Sequence, residues 1–345
     1  MTAGSSFVGQ FIDHDVTFDQ TSMLGVPQDP LRSPNTRTPA LDLDSVFGGG
    51  PALRPDLYVR NHDGSVGPQL AIGSGGPHED LPRIANGDGT YDTVIADLRN
   101  DEHLMIIGLQ CAHILFYNRV LAELSEWDLS QFPQARDDGG HSGRLGERPG
   151  DGGSRYRAYR VARQVTQWHY QWLAINEHLV QLVGREMVYD VLAHGSRFYR
   201  SPHHDAYVPI EFSAAAYRVG HSMVRPSYRA NFTSGTGDST DPTADPFFGL
   251  VFDPNEPGFS GQPDHDRGDL LGGYPAPRRY IGWQTFFDFG EGQVKNNKKI
   301  DTSISTVMFD LPIPAIPRTP RRRRHRCLSA TFYASSPGAY RQGRL

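Results

Sequence analysis

Two proline-free stretches with helical spacing of apolar residues set the character of this chain. The first, about 102–127, repeats Leu104, Ile107, Cys111, Leu115 and Val120 at the intervals that place side chains on one helix face. The second, about 155–183, carries Val161, Val165, Trp168, Trp172, Ile175 and Leu179 in the same way. A helical look also marks Phe7–Phe18, Pro209–Val224 predicts another helix, and Leu270–Phe289 a shorter one. The connections are long and turn-rich, as at 19–90 and 229–275. The 37 glycines and 26 prolines, near a fifth of the 345 residues, account for them. No internal repeat stands out. The expectation is a mostly α domain with long irregular loops and little β structure.

Composition removes several function classes. A net charge of −5 gives no general bias toward polyanions, so no nucleic-acid partner is expected. Two cysteines, Cys111 and Cys327, exclude a disulfide scaffold and a multi-cysteine metal centre. No apolar run reaches the ~20 residues of a membrane span, and the N-terminus lacks the basic start and apolar stretch of a signal peptide.

Four clusters carry chemistry. In Gln10-Phe11-Ile12-Asp13-His14-Asp15, three adjacent titratable groups sit among apolar residues. They form either an acidic surface turn or a helix whose successive side chains serve different sites, since buried charges need partners. Thr38-Pro39-Ala40-Leu41-Asp42-Leu43-Asp44-Ser45 offers oxygens at alternate residues. That suits a hard cation with six to eight oxygen ligands, and equally an alternating strand facing solvent. In Asp97-Leu98-Arg99-Asn100-Asp101-Glu102, before the long helix, Asp97, Asn100 or Asp101 suits an N-cap. Arg99, a cation at the positive helix end, has no such explanation. Tyr217-Arg218-Val219-Gly220-His221 places a histidine late in a helix, either structural or a ligand.

In this order the four clusters resemble the animal-type haem peroxidases, the peroxidase–cyclooxygenase superfamily with its bacterial members. The resemblance spans roughly residues 2–315. It rests on GQFIDHD, TxAxDxDSVFGGG, ADLRNDE opening a helix that runs on to NR, and RxGH, with WHYQWLAINEHL at 168–179 in agreement. It implies an animal haem peroxidase-like helical domain with haem b and calcium. His14 resembles the distal histidine, Arg99 the distal arginine, and Gln10 the glutamine that holds water or halide. Asp13 and Glu102 match the carboxylates that form ester bonds to haem methyls in mammalian members. His221 matches the proximal iron ligand and Arg218 the arginine near a haem propionate. Asp15, Thr38, Ala40 through its carbonyl, Asp42 and Asp44 match the calcium ligands; Asp44 stands where mammalian members have serine. The implied activity reduces hydrogen peroxide and oxidises a small organic donor or a halide. A fatty-acid oxygenase of the same fold and an inactive fragment are the rival readings. His103 stands where the sulfonium-linked mammalian member has methionine, which argues against that bond and against chloride oxidation. Arg218 stands where cyclooxygenases carry their radical tyrosine, with Tyr217 one residue off, which ranks peroxidase above oxygenase.

The resemblance fades after FDLP at 309–312. The family there has an asparagine that bonds the proximal histidine and then an LPSGQ-like stretch. From Arg326 onward, codons read one frame over permit VPLRNVLRQLTWRLPSGQA. The expectation is a frame slip between about Pro312 and Arg326. Residues 1–318 then form the domain, incomplete at both ends, and 319–345 an aberrant, poorly packed tail. The arginine-rich run 321–326 is then an out-of-frame product, the alternative being a genuine basic tail. TAGSSFVGQF at 2–11 matches the middle of the family's opening segment, so a clipped start is expected, which leaves the compartment, cytoplasmic or secreted, unread.

Overall fold

A computed structural model describes residues 1–20, 29, 35–74, 78–87, 91–124, 152–200, 206–232, 247–253, 268–273 and 279–308. The tail 319–345 with its arginine-rich run, the frame slip, Cys327, most of the glycine-rich loop at 137–154 and most of the aspartates between 238 and 266 lie outside the described residues.

The described chain is mostly helical. Helix α1 (Gly4–Val16) buries Phe7 and Phe11, four residues apart and so on one face. Phe7 meets His103 edge-on with ring centroids 5.2 Å apart, and Phe11 stacks on His113 at 4.6 Å. A short helix α2 (Asp44–Phe47) follows the loop that closes on α1. Helix α3 (Leu104–Glu123) is the core helix, packed against α1 and α4 (Gly152–Trp172). Its length and mean hydropathy of 1.4 would suit a membrane span, although no uninterrupted apolar run fills it. Gln110, His113 and Asn118 interrupt the apolar run without lowering its mean enough to matter. About half of that window is buried inside the fold, as in a core helix.

Helix α4 continues through a π-helical stretch, Leu173–His178, into α5 (Leu179–Val183). The single predicted helix at 155–183 is therefore continuous but widened near its end. Gly184, with φ +89°, then turns the chain into α6 (Arg185–His194). A left-handed φ of this kind favours glycine. Along 168–192, Trp168, Trp172, Leu173, Met187 and Leu192 are all exposed.

Among the described residues the strands form four antiparallel pairs: β1 (Tyr58–Arg60) with β2 (Val66–Leu70), β3 (Gly73–Ser74) with β4 (Glu79–Asp80), β5 (Arg83–Ala85) with β6 (Tyr91–Thr93), and β7 (Ser227–Arg229) with β8 (Phe248–Leu250). Arg83 ties two of these pairs to the start of α3. It bonds both oxygens of Asp80 and of Asp101 at 2.7–3.0 Å.

Two helix expectations need correction. Pro209–Val224 is broken at Ala215 (φ −130°, ψ −66°) into α7 (Ile210–Ala214) and a 3-10 helix, Ala216–Met223. Tertiary bonds win there: the Tyr217 hydroxyl donates to the Gly9 carbonyl at 2.8 Å, and Arg218 reaches both Ser213 O and Asp13. Leu270–Phe289 holds only a 3-10 turn at Trp283–Thr285 among its described residues. Leu270 and Leu271 instead run alongside the entry to α3, where Leu104 N–H donates to Leu270 O at 2.9 Å and Gly272 N–H to Glu102 O at 3.0 Å. A Cβ at Gly272 would overlap the Asp101 carbonyl oxygen at 1.7 Å, so only glycine fits this approach.

Candidate functional site

Helix α1 distributes its three adjacent titratable groups to three different places. Asp13, His14 and Asp15 are all buried, and successive positions on a helix point about 100° apart. The surface-turn reading is therefore excluded. Asp13 ion-pairs with Arg218, His14 faces Asn100, and Asp15 turns to the loop before α2.

His14 Nδ1 lies 2.7 Å from Asn100 Oδ1, and Asn100 Nδ2 donates to Gln110 Oε1 at 2.9 Å. Burial, with the Arg99 charge beside it, holds the His14 imidazole well below its ordinary pKa. Arg99 Nη2 donates to the His14 carbonyl at 2.7 Å, and its guanidinium lies over the Phe18 ring, 4.5 Å from the centroid.

Asp97 accounts for the cation at the start of α3. It caps the 3-10 turn Leu98–Asp101 by accepting from Arg99 N–H, and its carboxylate takes Arg99 Nε at 3.0 Å and Nη2 at 2.6 Å. Burial raises the Asp97 pKa, but Arg99 and Arg37 outweigh it and hold the carboxyl well below its usual range. The cap of α3 itself is His103, whose Nδ1 accepts from Ile106 N–H at 3.2 Å. That contact leaves the proton on His103 Nε2, which donates to Gln10 Oε1 at 2.8 Å. Gln10 Nε2 in turn donates to Glu102 Oε2 at 3.1 Å. Burial pushes Glu102 up to about 7 and His103 down to about 3.

The 3-10 geometry of Ala216–Met223 superposes residues three apart, so Arg218 and His221 share one face. Burial, then Arg218, pushes His221 down to about 4. His14 and His221 line the same cavity, of about 400 Å³. Gln10, Asp13, Arg99 and Glu102 also face it, and Leu182, Phe212, Met223 and Phe252 supply apolar wall. Two imidazoles, carboxylates, a guanidinium and an apolar wall around one cavity form a donor set that fits a haem. The volume falls within the usual range of cofactor sites.

The second cluster forms beside this cavity. One carboxylate oxygen from each of Asp15, Asp42 and Asp44 falls within 4.8 Å of the others. Leu43, between two of them, is fully buried with φ +58°. This left-handed conformation costs about 1 kcal/mol or more, and it aims the Leu43 N–H at Asp15 Oδ2, 3.0 Å away. The Ser45 hydroxyl donates to the other oxygen at 2.9 Å. Burial pushes Asp15 up to about 7, with Asp44 and Asp42 adding to it. Thr38 Oγ1 lies 2.9 Å from Asp42, on the same loop as Ala40. Three crowded carboxylates, two of them with raised pKa values, fit a hard cation.

Asn100, His103 and Arg37 are the site residues sequence reasoning did not assign. Arg37 bonds Asp44 at 3.3 Å and also Asp97, and so links the acidic cluster to the anchor of Arg99. An arginine next to Thr38 gave no hint of this, since Asp97 is 60 residues away.

The family model for animal haem peroxidase matches residues 18–249. That span contains the Thr38–Asp44 loop, Arg99, Glu102, Arg218 and His221, and it begins just after α1. No curated protein matches. Among solved structures, peroxidase A from Dictyostelium discoideum is similar over 68% of this chain and 49% of its own length, with 15% identity and a TM-score of 0.44. The chain thus spans about half the length of that structure.

Proposed function

The chain belongs to the animal haem peroxidase family, and from that premise we propose that it is a haem-dependent peroxidase, reducing hydrogen peroxide and oxidising small organic donors or halides. The observation that carries this reading is the single cavity shared by His14, Arg99 and His221.

Haem supplies the redox chemistry and an open coordination position when bound. His221 would hold it through a ring nitrogen. Arg218 would supply the cation for a haem carboxylate, and Asp13 and Glu102 would be the carboxylates available for covalent attachment to haem. His14 Nε2 accepts the proton of the near peroxide oxygen and returns it to the departing oxygen, as general base and then general acid. Arg99, already fixed by Asp97 and paid for by no rearrangement, stabilises the charge developing on that oxygen. Gln10, oriented by His103 and Glu102, places a water or halide.

Calcium is the cation proposed for Asp15, Asp42 and Asp44, with the Thr38 hydroxyl and the Ala40 carbonyl completing the set. Because Asp15 follows His14, this site would fix the end of α1 that carries the base.

The test is a haem titration followed at the Soret band, then peroxide turnover with a guaiacol-type phenol and, in parallel, a fatty-acid oxygenation assay. Stoichiometric haem uptake with phenol turnover is expected. Robust fatty-acid oxygenation would favour the oxygenase instead, and no haem uptake would mark an inactive chain.

A further inference from the structure

We propose that Asn100, clamped by Gln110, is the positioning residue that fixes which ring nitrogen of His14 carries the proton. This rests on the reading of His14 as the base, yet the tautomer is a property of the chain itself.

A primary amide has one accepting end and one donating end. The Asn100 Nδ2 end is engaged by Gln110 Oε1 at 2.9 Å, which turns Oδ1 toward His14 Nδ1 at 2.7 Å. A carbonyl oxygen only accepts, so Nδ1 must donate. A neutral imidazole has one ring proton. With that proton on Nδ1, Nε2 is left with a free lone pair, the form a general base requires. The opposite tautomer would present an N–H and could take no proton from a peroxide.

The surroundings hold this arrangement. Asn100 and Gln110 are 0% and 1% exposed and His14 is 4% exposed, so water does not compete for these bonds. Asn100 lies in the 3-10 turn that Asp97 caps, and Gln110 lies two turns into α3. Both supports belong to rigid elements. The Arg99 bond to the His14 carbonyl anchors the backbone of the same residue. Removing the amide would leave the ring free to populate either tautomer.

The experiment uses the full chain without haem, labelled with 15N-histidine, at pH 8. Ring nitrogen shifts and two-bond couplings report the tautomer, and His14→Gln identifies the His14 signals. A Nδ1–H, Nε2-lone-pair signature is expected for the native chain. Asn100→Asp keeps an acceptor and is expected to retain it, whereas Asn100→Leu is expected to show a substantial Nε2–H population. Gln110→Leu leaves Asn100 in place but unclamped, is expected to give a mixture, and carries the test if Asn100→Leu does not fold. In haem-loaded protein, Asn100→Leu is expected to lower kcat/KM for peroxide at least tenfold. An Nε2–H signature in the native chain, or an unchanged tautomer in both leucine variants, would overturn the proposal. Failure to take up haem would sink the peroxidase reading and leave this measurement intact.

Discussion

Arg218 Nη1 lies 2.5 Å from Asp13 Oδ2, so the segment bearing His221 is joined by an ion pair to the helix bearing His14. Both side chains are largely shielded from water. Removing one partner leaves the other charge buried, which costs about 3–5 kcal/mol. Arg218→Leu is therefore expected to lower the denaturant midpoint strongly, and Asp13→Asn/Arg218→Leu to recover much of the loss. Equal midpoints for the single and double variants would show that the pair contributes nothing.

Glu102 gives a pH-dependent stability term of defined sign. Its folded pKa, about 7, lies above the ordinary 4.5. The protonated form is favoured in the fold, so the contribution is full below about pH 4.5 and lost as pH rises through 7. Glu102→Gln, which cannot ionise, is expected to be more stable than the native chain at pH 8, by about 3 kcal/mol. The advantage should vanish at pH 4.5. Urea midpoints across that range check it, and a pH-independent difference would contradict it.

How much of this was legible beforehand divides by range. The periodicity of 102–127 and 155–183 located α3 and α4 because apolar spacing is a local property. The aspartates of the 38–45 loop stood out for the same reason, whereas the three adjacent charges in α1 left a surface turn and a helix serving different sites both open, and their burial decides between them. Asn100 looked like a cap, since nothing local shows that its amide reaches back to residue 14. His103 gave no sign that it would cap α3, because Ser, Thr, Asp and Asn are the usual caps, whereas here an imidazole Nδ1 accepts the Ile106 N–H. The 209–224 helix failed where Arg218 and Tyr217 found partners about 200 residues away.

The acidic cluster predicts a calcium effect that grows with pH. Asp15, with a folded pKa of about 7 against an ordinary 3.8, favours the protonated form. In chelator-treated protein its contribution is full at low pH and lost as pH rises through 7. A bound cation reverses this by favouring the carboxylate. The rise in Tm on adding calcium is expected to be larger at pH 8 than at pH 5, and to disappear in Asp42→Asn/Asp44→Asn. An equal rise in that variant would place the ion elsewhere.

His103 combines a structural and a positioning task. His103→Ala removes the cap of α3, worth about 1 kcal/mol, empties its buried place against Phe7, and releases Gln10 Oε1. The expected result is a fall in Tm larger than loss of the cap alone would give, together with changed halide or water binding in the loaded cavity, read as a shift in the haem spectrum on adding bromide. An identical bromide response would separate Gln10 from its histidine.

The π-helical stretch at 173–178 has a consequence for register. One residue more than an α-turn holds rotates everything after it by about 100° relative to Trp168 and Trp172. His178, Leu179, Leu182 and Val183 face the cavity on that account. Deleting a single residue within the stretch would advance each position by one, placing Leu179 where His178 stands and Gly184 where Val183 stands. One codon thus decides which side of this long rod the protein shows to its own interior.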